Sequence, residues 1–555
     1  MKQIDQVLIT TAISYTNGSP HIGHLYEAVL ADFIKRVYQV INCSDVKLLT
    51  GTDEHGKKIQ TTAQDQNLTP IQLCDKYSIE FKEMNKKINS SYDYFIRTTE
   101  PAHKELVSKA IEGILSTQST QLDDNPIIYL GEYSGYYNVR EECYITQTQA
   151  SQTNYIDPIS YKPYEVVKEP SYFFKLNKYE KEIDECVSKI TPSYFIPEIQ
   201  SRLAKGLDDL SITRTGFDWG IPFPSNNSHT TYVWFDALLN YITGQKILFG
   251  SCSGSNDNNN NGCSDINKFK TIHLVGKDII WFHSVIYPSI LQASYPSANY
   301  NGYIDKILVH GFILDKDGKK MSKSLGNVIC NEDLFNTYPI EAIRYYLISN
   351  TIMGMDFKFD SFNLVNMYNN VLIKNFGNLF QRLLKVIKPV QKEINEYLAI
   401  QTNKNIFKEK QSNCANMLSE FVSEYNFDFY YDYLNKLMSV SNKDLTEKKP
   451  WTLELEKQVE ILSFVLVDFY LTMCLMYPII PIKVLELGTH FGWNKFDIKL
   501  EQININIPEN SNKIIAFESI KIIQDEKEKS KRSQKQKDKK IQKLQINEQQ
   551  ETMDN

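Results

Sequence analysis

Cysteine is scarce and scattered in this sequence: nine among 555 residues. Cys43, Cys74, Cys143, Cys186, Cys330, Cys414 and Cys474 stand singly, and only Cys252 and Cys263 lie near each other, in a Gly/Ser/Asn-rich stretch. No zinc-type spacing and no dense disulfide framework fits this pattern, so free thiols are expected and a stapled secreted module is excluded. An excess of one charge is also missing. Sixty-one Lys and Arg face 67 Asp and Glu, for a net charge of −6, which excludes a uniformly basic coat but leaves room for a local basic face. Long apolar runs are lacking too, with one exception at residues 461–482. A membrane span needs about 20 such residues, but Asp468 interrupts this run and Pro478 and Pro481 break its end, so a buried bundle helix is the expectation. The chain opens without a secretory or Arg-rich transit signal, since Asp5 precedes the apolar run Val7-Leu8-Ile9.

What is present fits more than one core, because 555 residues exceed the roughly 100–200 of a single domain. Residues 7–13 read as a buried strand, followed by the turn Asn17-Gly18-Ser19-Pro20 and a helix. Ser19 is the expected cap and Pro20 the first helical residue, with Ile22, Leu25, Val29, Phe33, Val37 and Val40 at helical spacing. Val46-Lys47-Leu48-Leu49 reads as the next strand and ends at Thr50-Gly51-Thr52-Asp53-Glu54-His55-Gly56. Strand, turn, helix, strand is the βαβ unit of a parallel sheet, which binds ligands at the carboxyl ends of its strands. From 122 to 192 the pattern changes to Tyr-rich short runs, at 127–130 and 135–139, of an inserted subdomain. Parallel strands resume at 271–276 and 306–310, and helical periodicity governs residues 332–487. The stretch 251–264 is of low complexity.

Two clusters carry chemistry. His21-Ile22-Gly23-His24 puts two imidazoles on one face at a helix start, where free N–H groups attract phosphate, and Gly23 admits close approach to the backbone. Asp315-Lys316-Asp317-Gly318-Lys319-Lys320-Met321-Ser322-Lys323 is a lysine-rich Gly/Ser loop after a buried strand that can close over phosphates and neutralise their charge, without P-loop spacing. Taken singly, each also fits a solvated surface turn.

Together the two clusters resemble the signature pair of class I aminoacyl-tRNA synthetases. The segments Tyr15-Thr16-Asn17-Gly18-Ser19-Pro20-His21-Ile22-Gly23-His24, Thr50 to Gly56, Tyr232-Val233-Trp234-Phe235-Asp236-Ala237-Leu238, Gly276-Lys277-Asp278-Ile279-Ile280-Trp281-Phe282-His283 and Gly377-Asn378-Leu379-Phe380-Gln381-Arg382 resemble the methionyl-tRNA synthetase family, over roughly residues 1–490. The resemblance implies an α/β fold: a split Rossmann-like parallel sheet with an inserted connective subdomain, followed by an α-helical anticodon-binding domain. It implies the first half of the catalytic domain at 1–120, the insert at 121–225, the second half at 226–330, a stem-contact linker at 331–366, the anticodon domain at 367–500 and a charged, disordered tail at 501–555.

The implied activity joins L-methionine to ATP, taken as a substrate with Mg2+, and then to the terminal adenosine of tRNA(Met). By resemblance His21, His24, Lys320 and Lys323 would act on the triphosphate, and Gly23, Gly276, Asp278, Ser322 and Lys323 would bind the nucleotide. Asp53 would hold the substrate ammonium. Ile13, Tyr15, Trp234, Ala237, Leu238, Tyr241, Ile279 and His283 would line the side-chain pocket, where a polarizable thioether suits aromatic walls. Asn378, Arg382 and Trp451 would read the anticodon.

Ala12, Ser14 and Met367 depart from the family pattern, in which Pro or Tyr is frequent at the first two and Arg at the third. Cys143 stands alone where many relatives carry paired cysteines, so no structural zinc and no other metal site is expected, as in the short bacterial and mitochondrial forms. Those forms imply the mitochondrial matrix, with the cytoplasm as the alternative; a monomer is favoured, and no membrane contact is expected. The readings set against this one are a catalytically inactive tRNA-binding paralogue and a small HxGH nucleotidyltransferase. The first would have lost some of the motif residues, all present here, and the second would lack the helical region. The lysines of 527–543 would add nonspecific tRNA affinity or form a solvated tail.

Overall fold

The first apolar run becomes the middle of a sheet: Val7, Leu8 and Ile9 are at most 1% exposed. A computed structural model of the chain describes residues 6–41, 45–120, 125–138, 143–145, 147–158, 162–250, 269–296, 303–321, 327–498, 503–508 and 516–520. Gln6–Thr11 pairs in parallel with Asp45–Asp53 on one side and with Phe269–Gly276 on the other. Tyr94–Arg97 and Ser14–Tyr15 extend the first side. Lys306–His310 and then Ile190–Thr191 extend the second. Sheets covered on both faces take near-continuous runs of Val, Ile and Leu, which is why Lys306-Ile307-Leu308-Val309-His310 was readable as a strand. The chain leaves Gln6–Thr11 toward one edge and returns on its other side, so a crevice opens beyond the carboxyl ends of Gln6–Thr11 and Phe269–Gly276.

The fold class is the one implied by the sequence, with four local corrections. First, helix Ile22–Val40 is capped by His21, not Ser19, and starts two residues later than expected. Second, the two Tyr-rich runs are one strand, Ile128–Asn138, in an antiparallel sheet with Cys143–Ile145, Glu165–Phe174 and Leu210–Ser211. Third, Ile190–Thr191 lies inside the stretch 121–225 assigned to the insert, yet it is the edge strand of the parallel sheet. The helix before it, Glu180–Val187, explains this: Ile183, Cys186 and Val187 are buried in one core with Val275 of the parallel sheet and Ile286. Fourth, the tail assigned to 501–555 begins as packed chain. Ile503, Ile505 and Ile507 are buried, the Ile505 peptide is bracketed by the Asn395 amide, and Phe517 packs near Phe376 and Tyr368. The lysines of 527–543 and the low-complexity stretch 251–264 lie outside the described residues.

The helical region contains Leu455–Met476, whose most apolar window is 83% buried within the chain. Asp468 in this helix accepts a 2.6 Å hydrogen bond from Lys410 Nζ, and Pro481 opens the next helix, Pro481–Thr489. Among the described residues Cys74, Cys186, Cys330, Cys414 and Cys474 form no disulfide.

Sheet and bundle are joined at one buried ion network. Asp32, on helix Ile22–Val40, receives Arg36 Nε at 2.9 Å and Arg344 Nη2 at 2.7 Å. Its other oxygen accepts from the Ser91 amide and hydroxyl, both at 2.7 Å. Arg344, on helix Ile340–Ser349, also donates to the carbonyls of Ile88, Pro478 and Ile479. Burial pushes the Asp32 carboxyl up, but Arg344 and Arg36 outweigh it and hold it at about 2. The folded value is thus below the unfolded one of about 4, so this stabilisation is complete above pH 4 and is lost as pH falls through 2. Arg344→Met, which strips the buried carboxylate of one partner, is expected to cost about 3–5 kcal/mol. The check is a lower denaturant midpoint at unchanged slope.

Candidate active site

The first helix starts at the mouth of the crevice, and its own histidines form the cap. The Gly23 N–H donates to His21 Nδ1 at 3.0 Å, and the His21 N–H donates to His24 Nδ1 at 3.1 Å. A ring nitrogen that accepts carries no proton, so the hydrogen-bond network assigns the proton of each imidazole to Nε2. The rings stack with centroids 3.9 Å apart, and Phe81 abuts His24 edge-on at 5.1 Å. A Cβ at Gly23 would stand 2.9 Å from His21 Cε1, so glycine is required here first by the His21 ring. The helix start therefore carries two ring N–H donors side by side, a set suited to phosphate.

On the Phe269–Gly276 side, Gly276 and Asp278 are neighbours in space. A Cβ at Gly276 would sit 2.8 Å from Asp278 Oδ1. Asp278 Oδ2 is 3.6 Å from Lys320 Nζ, and that ammonium lies 3.8 Å from the centre of the Phe312 ring. The structure thus brings together Gly276, Asp278 and Lys320, whereas Ser322 and Lys323 lie outside the described residues. Two further groups belong to this side. Glu27 Oε1 accepts the Ala12 N–H at 3.0 Å, a bond that proline at position 12 would forbid, and lies 3.9 Å from His310 Nε2. Burial pushes the His310 ring down, but Glu27 and the Gly311 carbonyl outweigh it and raise it above its usual value. Neither was read from the sequence: Glu27 stands three residues beyond His24 on the same helical face, a signal that could have pointed to it, whereas His310 carried no spacing signal.

On the opposite side, Ile13, Tyr15, Trp234, Leu238, Tyr241 and Ile279 belong to one apolar cluster, and Ala237 is buried. Trp234 stacks on Phe282 at 3.8 Å with 8° between planes. Phe282 lies next to Trp281 in a recognised segment, yet only the fold picks it as the partner. His283 Nδ1 donates to the Ile279 carbonyl at 2.9 Å, which leaves Nε2 to accept the Tyr241 hydroxyl proton at 2.8 Å. Burial holds His283 down at about 4 and pushes Tyr241 far up, so both stay neutral and this pairing persists at any working pH.

Asp53 ends its strand beside Tyr15 and is 4% exposed. The next helix, Lys57–Asp65, is entered through Gly56, so Asp53 is not its cap. A buried carboxylate in an apolar-walled crevice suits a cationic group of a ligand.

The sequence profile of tRNA synthetases class I (M) matches residues 7–384. Methionine--tRNA ligase of Ureaplasma parvum is 35% identical over 490 residues, covering 85% of this chain and 89% of its own. That of Synechocystis is 33% identical over 510 residues, covering 89% and 92%. A crystal structure of Mycobacterium tuberculosis methionyl-tRNA synthetase bound by methionyl-adenylate is similar with a TM-score of 0.77 at 26% identity, over 92% of this chain and all of that one. The chain belongs to the class I methionyl-tRNA synthetase family.

As in the resemblance that pointed to this methionyl-tRNA synthetase family, the third group of site residues is remote from the crevice, in the helical region. Asn378 is exposed and donates to the Lys374 carbonyl at 2.8 Å. One turn on, Arg382 reaches Thr446 Oγ1 at 3.1 Å, near the end of helix Phe427–Glu447. Lys449 then takes a left-handed conformation, φ 41°, and Trp451 follows at 47% exposure. Arg382 and Trp451 therefore share one end of the bundle.

Among variants of the first helix, His21→Asn retains a capping acceptor, whereas His21→Ala removes it. The Ala variant is expected to be about 1 kcal/mol less stable than the Asn variant. Equal unfolding midpoints would take the cap away from His21.

Proposed function

We infer that this chain charges tRNA with methionine: it activates L-methionine with ATP, releasing pyrophosphate, and transfers the methionyl group to the 3′-terminal adenosine of tRNA(Met). The observation that carries the mechanism is the pair of Nε2–H donors of His21 and His24 at a helix start in the sheet crevice. There they suit the charge that develops on a triphosphate as pyrophosphate leaves, and preoriented donors of this kind are each worth about 10²–10³ in rate. Lys320 and Lys323 neutralise the same phosphates, and Mg2+ enters as the ATP complex. Gly276 and Asp278 hold the ribose, with Glu27 beside them.

Asp53 orients the substrate ammonium so that its carboxylate attacks phosphorus, and the aromatic wall of Trp234, Tyr241 and His283 receives the thioether. Selection by such a wall is modest, about 1–3 kcal/mol for one methylene. Asn378, Arg382 and Trp451 read the anticodon. The presence of all these residues in one chain argues for an active ligase over an inactive paralogue. The single Cys143 supports a zinc-free form, and with it a monomer without membrane contact in the mitochondrial matrix, the cytoplasm being the alternative. Imaging the tagged full chain decides the compartment.

The purified chain is expected to catalyse methionine-dependent ATP–pyrophosphate exchange, and its absence would sink the reading. Lys323→Ala should slow exchange by about 10²-fold with methionine binding retained. Trp451→Ala should impair tRNA charging by about tenfold, through loss of stacking on an unpaired base, and spare exchange. A folded Trp451→Ala protein with weakened exchange would move Trp451 out of the anticodon site.

A further inference from the structure

The two groups proposed to grip methionine, Asp53 and Trp234, come from opposite halves of the split sheet. Two residues beyond each stands a buried partner. His55 Nδ1 lies 2.6 Å from Asp236 Oδ2, with side chains 2% and 1% exposed. The other carboxylate oxygen is held by His103 Nε2 at 2.7 Å, and His103 Nδ1 meets Thr243 Oγ1 at 2.9 Å. A single carboxylate is therefore clamped from both sides by two histidines from separate parts of the chain. Burial pushes the Asp236 carboxyl up, but His55 and His103 outweigh it and hold it at about 2, so it is charged at every working pH.

The chain around Asp53 is fixed on its other flank as well. Glu54 accepts Arg97 Nε at 2.6 Å, Thr52 Oγ1 at 2.8 Å and Thr99 Oγ1 at 2.5 Å, while Trp219 Nε1 donates to its carbonyl at 2.6 Å. In helix Val233–Leu238, positions two apart point to opposite sides, about 200° around the axis. Asp236 thus grips His55 while Trp234 faces Phe282. His55 and Asp236 stand in motif segments but were given no role there, His103 carried no signal, and none of the three is given a direct contact with substrate.

We infer that His55, Asp236 and His103 form a positioning bar that sets the distance between the Asp53 carboxylate and the Trp234 wall, and so the affinity and length selectivity for methionine. The inference rests on the pocket roles proposed above for Asp53 and Trp234. Charge-assisted bonds of 2.6–2.7 Å are short and directional, so they define a spacing more sharply than apolar contact does. A side chain must span from ammonium site to aromatic wall, and misplacement of either end by about 1 Å is felt as lost binding.

The test is exchange kinetics of the full-length chain, with methionine and with ethionine, which is one methylene longer. His55→Phe is expected to raise the KM for methionine about tenfold, to leave the KM for ATP within twofold, and to erode the preference for methionine over ethionine. His55→Asn, whose amide nitrogen replaces Nδ1 as donor to Asp236, should restore all three to within about threefold. Parallel rises in both KM values, or a His55→Asn variant as impaired as His55→Phe, would overturn the bar. If His55→Phe does not fold, Thr243→Val tests its outer end isosterically: loss of one hydrogen bond should raise the methionine KM about threefold, and an unchanged KM would refute it. Asp53→Asn and Trp234→Ala separate the two failures. If neither alters the methionine KM, the pocket reading itself falls; if both raise it and the His55 and Thr243 variants do not, only the bar falls.

Discussion

Everything at the crevice depends on the parallel pairing of Gln6–Thr11 with Phe269–Gly276. The register sets Leu8 beside Thr271 and Thr11 beside Leu274, so Phe269–Gly276 runs two residues past Thr11 and both strands present their following residues to one cleft. A slip of one residue would turn every side chain of a strand to the other face of the sheet. The register is pinned inside the sheet by Thr10 Oγ1 and His273 Nδ1, 2.8 Å apart, with His273 Nε2 donating to the Tyr303 carbonyl. Burial pushes His273 down to about 3, so it stays a neutral ring that accepts from Thr10. The cost of closing the intervening loop grows only with the logarithm of its length. That is why the chain accommodates an inserted antiparallel subdomain between the two strands without losing the site.

Helix Ile22–Val40 is the second shared member. Its first turn carries His21 and His24, its second Glu27, its third Asp32, and its apolar side brings Phe33 against Phe421, Phe427 and Tyr430 of the helical region. A rigid helix with both ends thus committed cannot reorient at one without moving the other. The Arg344 guanidinium makes the commitment specific. It spends its donors on one carboxylate and three carbonyls from two segments, at Ile88 and at Pro478-Ile479, a geometry that a lysine point charge cannot reproduce.

Much of this was legible in the sequence for a physical reason. Strands covered on both faces must be apolar throughout, and helices packed on one face must be periodic, so residues 7–11, 22–40 and 306–310 announced themselves. The motif residues at the crevice were legible because they follow those strands directly. What escaped lacked a local signal. Ser19-Pro20 is the stronger cap pattern by composition, yet His21 caps because His24 reciprocates one turn on. Ile190–Thr191 is two residues long, too short to show any period. Ile503, Ile505 and Ile507 do alternate, but between polar residues that match no strand partner; the Asn395 and Gln391 side chains satisfy that backbone instead. His55, Asp236 and His103 are separated by 181 and 133 residues, and only the closed sheet makes them neighbours.

The pairing of Lys320 with Asp278 bears on how the cleft exchanges partners. The two residues proposed to hold phosphate and ribose face each other at 3.6 Å, with side chains 35% and 39% exposed. At that exposure an ion pair contributes at most about 1 kcal/mol, so it balances charge in the cleft without locking it. A nucleotide triphosphate brings several negative charges to Lys320, and its ribose brings hydroxyl donors to Asp278, so both residues exchange one weak contact for stronger ones. Lys277, held by Asp356 at 2.8 Å, stays with its own carboxylate beside Phe312 and supplies no competing cation. In the proposed scheme the nucleotide side thus exchanges a weak ion pair for substrate contacts, while on the methionine side Asp236 is already paired with its two histidines.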